Sequence, residues 1–385
     1  MQITKKVHSL TKDNVFKPAQ SIVEDVIRTD LAADTPSIVN PANLIRSSNR
    51  QRQNARPADP KDLDFVLDQA HIPEGFLQND IKVDKQRHLI FATPEQLEIL
   101  RSATEIFMDG TFKVVKEPFY QLFSLHAFLE DVAGHEVKQV PLTYVLMSSK
   151  RKKDYVAVFK AMKTLAANLV SVKFVTDFES AIWGAVASVF PRATMRGCSF
   201  HWSQALWRQV QDSGLAVKYQ ESAEVYNYIK LLFALPFLPH AEISNAFEMV
   251  VSSASEQLRE LLGPINNYIR RNWLGGQWKP EQWSVHDRAI RTNNDCEGWH
   301  NRLNRKVGRG NVQMYLLLEL LHNESSLLPI QRQLAAEDKL RRYQRTQTRL
   351  FQGKVEKLWL AYEKEELTGW QLLKQTSALT GPVHT

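Results

Sequence analysis

Three carboxylates in three separated motifs carry the strongest chemical signal: Asp109 in MDGTF, Asp177 in FVTDFE and Glu297 in RTNNDCEGWHNRLN. Each sits at the start or end of a segment able to hold it rigidly. Hard oxygen ligands gathered from distant parts of a chain suit a pair of Mg²⁺ or Mn²⁺ ions. Such a pair clamps the attacking and leaving oxygens of a phosphodiester during in-line displacement. The chemistry suggested is the cutting and joining of nucleic acid. Each acid also has a purely structural reading. Asp-Gly is a common hairpin turn, and Asp177 stands where a strand gives way to a helix and can act as an N-cap. Glu297 follows Asn294 by three residues, as in a capping box. These three readings differ in kind, whereas one metal site accounts for all three acids. Strand-end acids on parallel neighbours project to a single edge of a sheet.

Cys198 and His201 form a CxxH pair in RGCSFHWSQALW, and Cys296 and His300 lie in the third motif. Together they offer a structural zinc site. That reading competes with the first, because the second pair brackets Glu297, so zinc is the less favoured metal. A buried cysteine and a histidine at a helix start is the bland alternative. Basic residues cluster nearby: Lys150, Arg151, Lys152 and Lys153 precede a helix, and Arg302, Arg305 and Arg309 form a stripe after Glu297. Beside an acidic metal site such groups would hold phosphates without reading bases. A charge run is also, commonly, a solvated face.

The elements that must position these groups read as α/β. The run HLIFA is a strand, and Thr93 with Pro94 and Gln96 marks a helix start. Residues 106–112, 120–129 and 140–147 are β-rich, and 154–167 has helical spacing. A short strand at 172–176, a helix at 180–189, a strand at 194–198 and a helix through Gln211 follow. This order implies a mixed sheet covered by helices. Residues 215–285 read as an all-helical insertion, 294–307 and 312–324 as two helices, and 326–385 as a helical tail. Within that tail, 330–368 reads as a long charged helical segment, and the chain as frayed from Ser377. Residues 1–85 show little sustained period and read as a connector, partly disordered. There, arginines 46, 50, 52 and 56 line one face of a short helix or a flexible arm.

The totals fit. At 385 residues and 43% apolar, with nine tryptophans, the chain can bury a sizeable core. Lysine and arginine outnumber acids 49 to 42, a mild bias compatible with a polyanionic partner. Two cysteines cannot form a disulfide framework. No apolar run spans a membrane and the start lacks a signal-peptide core, so a soluble intracellular protein is expected.

The runs MDGTFKVVKEPFYQLFSLHAF, VPLTYVLMSSK, FVTDFESAIWGAVASVFPRATMRGCSFHWSQALWRQVQDSGL and RTNNDCEGWHNRLN, in this order, resemble the Mutator-like element (MULE) transposases. The resemblance covers roughly residues 85–325. It implies an RNase H-like core in two parts, 86–214 and 286–325, with a DDE triad on Asp109, Asp177 and Glu297. The family's CxxH signature falls on Cys198 and His201. The resemblance further implies double-stranded DNA as partner, both transposon ends and target, with a nuclear location, and leaves a homo-oligomer open. Many relatives carry an N-terminal zinc finger; residues 1–85 hold no cysteine, so none is expected here. The rival function is a domesticated DNA-binding or chromatin protein that keeps the fold without turnover.

Overall fold

The computed structural model describes residues 2–30, 40–166, 173–288, 294–308, 310–342 and 346–380. Three helices lead: α1 (Gln2–Asp13), α2 (Ala19–Asp30) and α3 (Pro41–Ala55). After a short 3-10 turn come β1 (Leu77–Val83), β2 (Gln86–Phe91), α4 (Pro94–Ser102), β3 (Glu105–Thr111), β4 (Gln121–Glu130) and β5 (Glu136–Met147). The chain then alternates through α5 (Lys152–Leu165), β6 (Lys173–Thr176), α6 (Ser180–Val189), β7 (Thr194–Gly197) and α7 (Ser199–Asp212). From there it is helical: α8 (Ala216–Glu221), α9 (Ala223–Ala234), α10 (His240–Ser253), α11 (Glu256–Leu261), α12 (Gly263–Ile269) and α13 (Pro280–Trp283). The last five helices are α14 (Asn294–Val307), α15 (Met314–Ser325), α16 (Leu328–Ala336), α17 (Thr346–Glu363) and α18 (Gly369–Leu379).

The seven strands form one mixed sheet in the order β1-β2-β5-β4-β3-β6-β7. β1 to β5 pair antiparallel, whereas β3, β6 and β7 run parallel. Alternation along each strand feeds two cores, because successive side chains face opposite sides. Ile90, Met108, Phe123 and Val145 meet Leu100 of α4, Phe159 of α5, Val186 of α6 and Leu328 of α16 on one face. Leu89, Phe91, Leu122 and Tyr144 meet Trp299 and Leu303 of α14 and Leu318 of α15 on the other. Thr93 caps α4 through a complete capping box with Gln96, as its sequence predicts.

A third core is made by helices alone. Trp202, Leu206, Ile229, Phe247, Ile269 and Trp283 pack with Val355 and Trp359 of α17 and Leu372 of α18. Among the described residues no strand falls between β7 and α14. The lobe is joined to the sheet at α6, whose Ile182 and Val186 face the sheet while Trp183 joins the helical core. Among the described residues the tail is helical in three pieces. α16 ends at Ala336, Asp338 takes a left-handed backbone (φ 53°), and α17 and α18 fold back onto the helical core. α18 itself continues past Ser377 to Leu379.

The N-terminal region also differs from its sequence reading as a connector. α1, α2 and α3 close over a small core of Val7, Val23, Val26 and Leu44, flanked by Ile3, Leu10, Ile27 and Ile45. Ile3, Val7 and Leu10 on α1 and Val23, Val26 and Ile27 on α2 stand at helical spacing, a short apolar stripe on each helix that the connector reading passed over. β1 was hidden because it is an edge strand with mostly half-exposed residues.

Candidate active site

Register brings the two aspartates together. β3 and β6 run parallel with Phe107 opposite Val175. Asp109 and Asp177 each lie two residues further along, on the same side of the sheet as those two residues. That side is covered by α14, whose Cys296 is buried against Phe107 and Val175. Glu297 is the next residue, in the first turn of α14, where the helix N-terminus favours negative charge. α14 is tied down by Arg342, which donates to Asp295 Oδ2 at 2.6 Å and stacks over Phe128 at 4.8 Å.

The surroundings of the acids differ. Asp109 Oδ2 lies 3.0 Å from His300 Nδ1, one turn beyond Glu297, and Asp109 Oδ1 accepts from the Gly110 N–H at 2.9 Å. Ser124 Oγ, opposite Asp109 on β4, stands 3.3 Å from His300 Nε2 and 2.8 Å from His126 Nε2. Burial, followed by the charges of His300 and Arg302, holds His126 well below the ordinary imidazole range. Asp177 is braced by its backbone, because Trp183 Nε1 donates to its carbonyl oxygen at 2.8 Å. Burial raises the Asp177 pKa, and the Asp109 charge adds to the rise against the pull of His201. Glu297 is raised in the same way by burial and by Asp109, opposed by His201 and His300. The three acids therefore share one electrostatic neighbourhood.

Residues 105–205 match the family model of the MULE transposase domain. The protein carries a MULE transposase domain. The matched span includes Asp109, Asp177, Cys198 and His201 and ends before Glu297. A search of curated proteins finds no match to the chain. Among the described residues, no helix is long and apolar enough to cross a membrane.

Within the MULE domain, His201 occupies the first turn of α7, with Nε2 3.7 Å from Glu297 Oε1. Burial pulls its pKa down. The Cys198 hydrogen bond and the negative charges of Cys198, Asp177 and Asp109 outweigh that, lifting it to about 9. Cys198 is placed by its own N–H, which continues the β6–β7 ladder onto Thr176 O at 3.0 Å. Gly197 is required just before it, since a Cβ there would lie 2.1 Å from the Phe178 ring. That ring stacks on Trp183 and meets Trp273 edge-on.

A donor set of three carboxylates suits a hard divalent ion. Among the described residues, however, no three His, Cys, Asp or Glu side chains converge as a metal-holding group. Asp109 is turned to His300 and Glu297 to His201. Two donors of the zinc reading are engaged elsewhere: Cys296 Sγ donates to Gln139 Oε1 at 2.9 Å, and His300 bridges Asp109 and Ser124.

The basic candidates are less open than their sequence suggests. Arg151 is held by two 2.8 Å bonds to Asp154, Lys150 faces Glu179 at 3.4 Å, and Lys153 pairs with Asp84. Lys152 lies along α6 against Gly184. Arg302 and Lys306 both meet Glu324, while Arg305 is exposed and donates to the Asn301 carbonyl. Arg309 lies outside the described residues. The Lys150–Glu179 and Lys153–Asp84 pairs lie at the surface and are worth about 0–1 kcal/mol, so a phosphate can compete for those lysines. The carboxylates of Asp154 and Glu324 are buried and hold their cations more firmly. Glu179, Asp84 and Glu324 come from distant segments, whereas Asp154 stands only three residues after Arg151.

The raised His201, Asp177 and Glu297 pKa values make a stability prediction for the metal-free protein. His201 favours its protonated form more in the folded chain than at its ordinary 6.5. Its contribution is complete below pH 6.5 and lost as pH rises through about 9. The two acids act in the same direction: protonation favoured in the fold is lost as pH rises through their raised values. In chelator, the melting temperature should fall as pH rises across this range, with a His201 contribution on the order of 3 kcal/mol. His201→Gln should flatten the fall between pH 6.5 and 9. A variant curve parallel to that of the parent would refute this.

Proposed function

We propose that this protein is a Mutator-like DNA transposase with an RNase H-like core, hydrolysing a phosphodiester at an element end and joining the freed 3′-hydroxyl to target DNA. The observation that carries this reading is the shared register of Asp109 and Asp177 beneath the first turn of α14, which presents Glu297. These three residues would hold Mg²⁺ or Mn²⁺, which when bound supplies activation of the attacking hydroxyl and stabilisation of the leaving oxygen. His201, protonated at neutral pH, lies where it can donate to a phosphate oxygen. His300 and Ser124 orient the Asp109 carboxylate. Residues 86–214 and 286–325 then form the two parts of the core, with 215–285 as a helical insertion bridging Asp177 and Glu297. A nuclear location and double-stranded DNA as partner belong to the same reading.

The test is joining of pre-cut duplexes with varied ends to a supercoiled plasmid by the full chain. Joined product with Mg²⁺ or Mn²⁺, and none in chelator, is expected. A second reading, a DNA-binding protein without turnover, is favoured by the engagement of Asp109 and Glu297 with histidines. Duplex binding with no joined product in either metal would select it.

A further inference from the structure

The N-terminal bundle carries a surface that the active site does not use. α3 turns Leu44, Ser48 and Arg52 inward. Arg52 donates to the carbonyl oxygens of Val15 (2.9 Å) and Phe16 (3.3 Å), and Arg56 donates to that of Val15 (2.9 Å). These two cations are therefore occupied in holding α3 to the α1–α2 connection. Thr11 and His8 of α1 add bonds to Ser48 and Ser47, so the inner face of α3 is fixed.

The outer face is different in kind. Asn43, Arg46, Arg50, Gln53 and Asn54 are all exposed, and at about 100° per residue they fall on one stripe opposite the buried one. α3 contains no acidic residue. The bundle's own ion pairs, Lys6–Asp30, Lys17–Asp25 and Arg28–Asp25, belong to α1, α2 and their connection. Among the described residues neither Arg46 nor Arg50 meets a carboxylate, in contrast to the paired cations around α5 and α14. An amide-and-guanidinium stripe on a fixed helix is poorly suited to a protein core. It matches the edges of base pairs, where arginine bonds guanine O6 and N7 and asparagine or glutamine bonds adenine N6 and N7.

We propose that α3 is a base-reading helix that enters the major groove of double-stranded DNA. A groove about 12 Å wide admits one α-helix, and 15 residues extend about 22 Å, enough to lay the whole stripe along several base pairs. Arg46 and Arg50, one turn apart, supply the guanine contacts, and Asn43 and Gln53 supply adenine contacts on either side. This places sequence selection in a helical bundle, without zinc, on the segment whose arginines the sequence offers as one face of a short helix or a flexible arm. The inference rests on the reading of the chain as a DNA-acting protein, and not on turnover.

The experiment uses the full chain in chelator, so that binding is separated from chemistry. Duplexes are selected from a random pool, and affinity for the enriched and a scrambled duplex is then compared at one fixed salt concentration. An enriched motif is expected. Arg50→Lys should keep the affinity for scrambled duplex while losing preference for the motif by on the order of 10- to 100-fold, the discrimination of one bidentate contact. Arg46→Ala should lose a similar preference with an unchanged melting temperature, since the side chain is exposed. Duplex binding without enrichment overturns the inference while sparing the transposase reading. So does a preference that survives in the Arg46→Ala, Arg50→Ala double variant, or a stronger affinity for A-form RNA duplex. Failure to bind any duplex overturns both.

Discussion

Asp177→Asn should abolish metal-dependent strand joining and leave the metal-free protein at least as stable as its parent. Asp177 carries a raised pKa because burial and the neighbouring Asp109 both oppose its charge, so a neutral amide of the same shape relieves repulsion. Joining should fall by on the order of 10³-fold or more, because loss of a metal-holding carboxylate removes several kcal/mol of transition-state stabilisation. Asp109→Asn should abolish joining as well, but at a different structural cost. Its carboxylate receives His300 Nδ1 at 3.0 Å in a buried network with Ser124, and weakening that charge-assisted bond costs about 1–3 kcal/mol. The two variants should therefore share a null activity and differ in melting temperature, Asp109→Asn being lower. Measurable joining by Asp177→Asn would remove it from the metal-holding set. Equal melting shifts would refute the His300 partnership.

That asymmetry marks where sequence reasoning ended. The strands from Ile106 onward were legible because turn residues and β-branched runs bound them, and Asp109 and Asp177 stand out at the ends of two of them. The register that aligns Phe107 with Val175 follows from the parallel β3–β6 pairing, so the placing of the two acids was within reach of the pattern. The partners of the acids were not. His300 is linked to Asp109 by a helix docking on the sheet, and His201 to Glu297 across a long helical stretch; neither pairing leaves a local trace. The same holds for Glu324, which holds Arg302 and Lys306 from α15. Charge counting along a helix sees the cations and misses what neutralises them. At the N-terminus the failure was one of scale, because four arginines read as a run separate into Arg52 and Arg56, bonded inward, and Arg46 and Arg50, facing out.

Trp202→Ala should be among the most destabilising single changes in the chain, costing about 3–5 kcal/mol as a large cavity is left in a close-packed core. Trp202 is 1% exposed, stacks on Trp283 with centroids 5.3 Å apart, and meets Trp273 and Phe233 edge-on. The surrounding rings are themselves fixed, with Trp283 Nε1 donating to the Trp273 carbonyl at 3.0 Å, so the site cannot collapse to fill the space. Trp202 also follows His201 directly on α7, and a shifted first turn would move the imidazole away from Glu297. Activity should therefore fall even at temperatures where the variant remains folded. Because α6 belongs to both the sheet core and the helical core, calorimetry should show one cooperative transition displaced to lower temperature. Two separated transitions, with only the earlier one moved, would show that the helical lobe folds independently of the sheet, and would break the proposed coupling between the tryptophan cluster and the acids.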